Sequence, residues 1–129
     1  NRDIIDKFTF ASDADATDVG DLTSARHGVT GQSSATNGYT TGTTFSTGTD
    51  RIDKFSFSSD SNAANIGTTT SGRYGANSSS STTHGYYAGG YDSSFSNVID
   101  KFSFSVDENG TDIADLTVAR YGMNVGQQY

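Results

Sequence analysis

The chain has 129 residues, a formal net charge of −7 from eight Lys and Arg against fifteen Asp and Glu, and no cysteine, proline or tryptophan. Without cysteine there are no disulfides, no thiolate catalysis and no Cys-based zinc or iron site. The acidic balance argues against a nucleic-acid partner, whose binding draws most of its affinity from basic stripes, and no segment is long and apolar enough for membrane insertion.

The first predicted element is the strand Ile5-Asp6-Lys7-Phe8-Thr9-Phe10, followed by an acidic turn holding Asp13, Asp15 and Asp18 and a short strand around Val19. Arg26-His27-Gly28 then opens a third strand and Asn37-Gly38-Tyr39 a fourth. A variable loop, Thr43 to Thr49 with Phe45 inside it, leads back to the starting pattern, now Ile52-Asp53-Lys54-Phe55-Ser56-Phe57. The second passage runs through the turn Asp60 to Asn65, Ile66, Arg73-Tyr74-Gly75, a Ser/Thr tract, His84-Gly85-Tyr86-Tyr87 and the loop Tyr91-Asp92-Ser93-Ser94-Phe95. The third begins at Ile99-Asp100-Lys101-Phe102-Ser103-Phe104, passes the turn Asp107 to Asp112 and reaches Arg120-Tyr121-Gly122.

The step between copies is 47 residues each time, so each copy is one structural unit set beside the next. Four short strands joined by Gly, Asn and Asp turns fill the unit, and no helical periodicity competes. Phe55 and Phe57 face one side of their strand and Ile52 the other, which requires a sheet covered on both faces. The recurring aromatics also argue against disorder, despite Ser/Thr tracts and a hydrophobic fraction of 32%.

The order Leu22-Thr23-Ser24-Ala25-Arg26-His27-Gly28, then Asn37-Gly38-Tyr39, then a glycine pair (Gly89-Gly90), a variable loop and Val98-Ile99-Asp100-Lys101-Phe102 resembles the kelch repeat. The tryptophan usual near the end of that repeat is absent. The resemblance implies an all-β propeller of 47-residue, four-stranded blades: a partial blade over 1–21, full blades over 22–68 and 69–115, and a partial blade over 116–129. Propellers have four to eight blades, so a ring needs another chain, a second copy or neighbouring repeats of a longer one. The near-identical polar repeats are similar to kelch-like arrays of bacteriophage and other viral structural proteins. That implies a non-enzymatic structural or adhesive part of a virion fibre or another extracellular assembly; the chain starts at Asn1 and not Met, as a processed form or fragment does.

Three sets of residues carry candidate chemistry. Asp6, Asp53 and Asp100 share a strand face with the phenylalanines, and Arg26, Arg73 and Arg120 are the natural partners for carboxylates placed there. Asp13, Asp15 and Asp18, and again Asp107, Asn109 and Asp112, space their oxygens as a Ca²⁺ loop does, or as an Asx-stabilised turn does. Phe45, Tyr91, Asp92 and Phe95 in the variable loops, with Tyr39, Tyr86 and Tyr87 of the Gly-Tyr strands, offer aromatic faces among short polar groups, as a glycan-binding lectin or a protein contact surface would. His27 and His84 read as surface polar groups, since no catalytic motif accompanies them.

Overall fold

The computed structural model describes residues 2–43 and 50–122. Those residues form an all-β structure of three antiparallel sheets. β1 (Arg2–Lys7) pairs with β2 (Thr17–Arg26). β3 (Thr30–Ser33), β4 (Asn37–Thr41), β5 (Arg51–Ser56) and β6 (Ala64–Thr68) make a four-stranded meander, each strand hydrogen-bonded to its neighbour in sequence. β7 (Asn77–Ser80), β8 (His84–Ala88), β9 (Val98–Ser103) and β10 (Thr111–Asp115) repeat the meander 47 residues later. Among the described residues no helix is long and apolar enough to cross a membrane.

The polar tract forms tight hairpins because serine can cap its own turn. Between β3 and β4 the Ser34 hydroxyl accepts from the amides of Thr36 and Asn37 at 3.3 and 3.0 Å. Between β7 and β8 the Ser81 hydroxyl does the same for Thr83 and His84, also at 3.3 and 3.0 Å. The glycine of each Gly-Tyr step is required by its cross-strand partner: a Cβ on Gly38 would lie 2.3 Å from the Phe55 ring, and one on Gly85 2.4 Å from the Phe102 ring. The rings lie across the bare backbone.

The core sits between the two four-stranded sheets. Tyr39 and Ile52 from the first meet Phe102 from the second, all buried, with Ile66 and Phe104 packed against them. Tyr39 stacks on Phe104 at 4.6 Å between ring centroids and tilts against Phe102 at 5.6 Å. At the other edge β3 and β7 lie side by side, where the Ser78 hydroxyl donates to the Gly31 carbonyl and the Ser33 amide donates to the Ser80 hydroxyl.

One sequence expectation needs correcting here. Arg26 and Arg73 do not open the strands that follow them: Arg26 ends β2, and Arg73 lies in the connector from β6 to β7. Their side chains turn into the next sheet, where each guanidinium meets an aspartate.

Candidate functional site: a repeated arginine clamp and an aromatic surface

The chain entering each meander, the end of β2 for the first and the β6–β7 connector for the second, reaches a buried aspartate on that meander's third strand. Arg26 Nη2 donates to Asp53 Oδ2 at 2.5 Å and Arg73 Nη2 to Asp100 Oδ2 at 2.5 Å, with all four side chains almost wholly removed from water. A threonine of the same segment takes the second carboxylate oxygen, Thr23 on Asp53 at 2.7 Å and Thr70 on Asp100 at 2.7 Å. Charge-assisted bonds of this kind are what a desolvated carboxylate requires. Burial pulls the Arg26 guanidinium below its ordinary range while Asp53 pulls it back up.

The clamps differ on the second strand. In the first, Arg26 Nη2 also donates to the Thr40 hydroxyl at 3.1 Å. In the second the equivalent position is Tyr87, whose ring lies under the Arg73 guanidinium at 4.8 Å and whose hydroxyl donates to the Arg73 carbonyl. Desolvation pushes the Tyr87 phenol up to about 12, against the pull of Arg73. Tyr87 is therefore part of the clamp and not of a ligand surface, and Tyr39 is likewise in the core; both are fully buried, which corrects their reading as ligand-binding residues. Tyr86, half-buried on β8, remains partly accessible. Phe45 lies outside the described residues.

Asp6 and Arg120 depart from the pairing read from the sequence. Each paired arginine precedes its aspartate by 27 residues. Among the described residues neither Asp6 nor Arg120 forms an ion pair, and both side chains are exposed.

The acidic turns fasten one sheet to the one before it. Asn109 Oδ1 accepts from the Thr68 amide at 3.0 Å, and Asn62 Oδ1 from the Asp21 amide at 3.0 Å. Asp107 pairs with Lys54 at 2.8 Å, and Asp60 pairs with Lys7. The chains approach so closely that a Cβ on Gly67 would lie 2.4 Å from the Glu108 carbonyl oxygen, and one on Gly20 2.5 Å from that of Ser61. Asp13, Asp15 and Asp112 are exposed, and Asp18 accepts from the Gly20 amide at 3.1 Å. Among the described residues no three Asp, Glu, His or Cys side chains gather as a metal-ligand group.

Tyr91 and Phe95 enter an aromatic surface that also takes Tyr74 and Tyr121. The backbones of Tyr74 and Tyr91 exchange two hydrogen bonds, at 3.1 and 3.0 Å, which sets their rings 5.6 Å apart. Phe95 stacks on Tyr121 at 5.3 Å with an interplanar angle of 9°, and Tyr91 meets Phe95 edge-on at 5.4 Å. Half of Phe95 and half of Tyr121 face water, and Asp92 is exposed beside them. The sequence reading missed Tyr74 and Tyr121. Their signal was the Arg-x-Gly register, in which they take the place of His27.

No protein-family model matches the chain, and no curated protein matches it in sequence.

Proposed function

We propose that the chain is a segment of a kelch-like β-propeller, a non-enzymatic structural or adhesive part of an extracellular assembly such as a virion fibre, its ring completed by another chain. The observation that carries this reading is the repetition of one set of contacts: clamp, asparagine latch and lysine–aspartate pair recur between successive sheets at the same 47-residue offset. A joint whose polar contacts repeat from sheet to sheet generates rotation about an axis, and β3 beside β7 supplies the inner strands that such an axis needs. Electron microscopy of the purified native assembly tests it. Radially arranged blades about a central axis are expected, and a two-layer sandwich with no axis overturns the reading.

A second reading, a glycan-binding lectin, is favoured by the aromatic surface of Tyr74, Tyr91, Phe95 and Tyr121 beside Asp92. Aromatic faces cover sugar C–H groups, and an exposed carboxylate accepts from hydroxyls. Saturable binding on a glycan array, lost in Phe95→Ala, is the expected result. No saturable binding to any glycan removes the lectin and leaves the scaffold.

A further inference from the structure

Two asparagine latches tie an acidic turn to the sheet before it, and they differ in the residue that follows the asparagine. In each, the asparagine Oδ1 accepts from a backbone amide, and the next residue's amide donates to the carbonyl of that same partner. Asn62 and Ala63 close on Asp21 at 3.0 and 2.8 Å, and Asn109 and Gly110 close on Thr68 at 3.0 and 2.7 Å. The second latch does not need its glycine. A Cβ on Gly110 would meet its nearest neighbour, the Thr68 carbonyl oxygen, at 3.5 Å, an ordinary contact, and Ala63 holds the same place in the first. What the glycine changes is reactivity, because no side chain shields its amide nitrogen. When that nitrogen gives up its proton and bonds to Asn109 Cγ, the Cγ–Nδ2 bond breaks, ammonia leaves with a proton and a succinimide remains. Water then opens the ring. Breaking the Cγ–N bond gives aspartate, and breaking the bond from the main-chain carbonyl carbon to N gives isoaspartate.

We propose that Asn109–Gly110 is a site of spontaneous deamidation gated by the joint between the two meanders: the closed latch holds it unreactive, and opening the joint releases it. The attacking nitrogen donates its proton to the Thr68 carbonyl, so base cannot take that proton while the bond stands. The Asn109 side chain is held on the Thr68 amide, so its Cγ cannot swing onto the Gly110 nitrogen. Both reacting groups are thus tied to one residue of the other sheet, and they come free together. Asn109 is exposed, which gives water its access to the ring and ammonia its exit. The products act differently on the latch. Aspartate at position 109 keeps an acceptor for the Thr68 amide, whereas isoaspartate lengthens the main chain by a methylene and puts the two bonds to Thr68 out of step. Conversion to isoaspartate therefore keeps the joint from reclosing, and the site records an opening irreversibly. The sequence's other Asn-Gly pair, Asn37–Gly38, lies in β4 between β3 and β5 and opens only with its sheet.

Peptide mapping by mass spectrometry after timed incubation, scoring aspartate and isoaspartate at positions 37 and 109, tests it. In urea both positions are expected to convert. In the folded wild type, position 109 should convert about 10-fold or more slowly than in urea, the protection given by a latch that is seldom open. Gly67→Ala sets a methyl 2.4 Å from the Glu108 carbonyl oxygen and pushes the turn off Thr68. It should speed position 109 about 5-fold or more while position 37 keeps its wild-type rate, which separates opening of the joint from unfolding of the chain. Should Gly67→Ala fail to fold, Lys54→Ala removes only the partly solvated pair with Asp107 and should speed position 109 about 2-fold on the same terms. Position 109 converting as fast in the folded chain as in urea overturns the proposal. So does a rate at position 109 that the folded variant leaves unchanged, or that rises only in step with position 37.

Discussion

The joint between β1–β2 and the first meander and the joint between the two meanders share their polar parts and differ in their aromatic part. Both have a threonine on the clamped aspartate, an asparagine latch and a lysine–aspartate pair. Among the described residues only the second has a tyrosine laid over the phenylalanines. At the first, Phe55 and Phe57 meet each other edge-on at 6.1 Å, and an apolar hollow of about 340 Å³ lies among Ile5, Phe8, Phe10, Val19, Phe55 and Phe57. The difference separates two jobs: directional bonds from connector and turn set where a sheet sits, and the Gly-Tyr strand fills the space between sheets.

Removing the aromatic part of the second joint should make it resemble the first. Tyr39→Ala deletes the ring that spans both sheets and should lower stability by about 3–5 kcal/mol, the range for truncating a buried aromatic, read by urea denaturation. The inter-sheet Lys54–Asp107 and Asn109–Thr68 contacts should survive in the variant, and amide exchange at Thr68 reports on them.

Attacking the close approach instead should disturb position and leave the aromatic stack intact. Gly67→Ala sets a methyl against the Glu108 carbonyl, backbone against backbone, and should cost about 1–3 kcal/mol. A thermal melt that matches the wild type would show that the turn can back away freely.

Tyr87→Phe sharpens the contrast between the two clamps. The variant keeps the ring under Arg73 and loses one hydrogen bond, about 0.5–1.5 kcal/mol at neutral pH. In the wild type the folded phenol holds its proton up to about 12, while the unfolded one releases it near its ordinary value of 10.0. The stabilisation is complete below pH 10.0 and declines between there and about 12, by roughly 1.4 kcal/mol per pH unit. The variant should lack this share of the alkaline fall, as melts on both sides of pH 10.0 would register.

The smallest effect belongs to the outer charge pair. Lys54 and Asp107 are partly solvated, so Lys54→Ala should cost about 0.2–1 kcal/mol and less in high salt.

Much of the fold was legible because the repeat fixes equivalence before any contact is known. The four strands per unit follow from glycine, serine and asparagine turns, and the aspartates and arginines stand in one register. Pairing was less legible: Arg73 reaches Asp100, 27 residues ahead and three strands into the next sheet, which register alone does not choose. The tyrosines of the Gly-Tyr strands look like surface groups in a polar sequence. Tyr39 and Tyr87 are buried because one lies between the meanders and the other under a guanidinium. The Asn109 turn reads as a calcium loop or a turn, since sequence cannot show that its amide oxygen meets the Thr68 amide, 41 residues earlier. Tyr121 was missed because only the fold brings the Arg-x-Gly position to the Phe95 loop.

The central claim is that the connector arginine, desolvated against its aspartate, holds each meander to the chain that enters it. Urea denaturation of Arg73→Met beside Arg120→Met tests it most directly. Arg73→Met leaves Asp100 buried without its counter-ion and is predicted to lose about 3–5 kcal/mol. Arg120→Met, at an exposed equivalent of the same position, is predicted to stay within about 0.5 kcal/mol of the wild type. Equal losses in the two variants, or no loss in the first, would contradict the account.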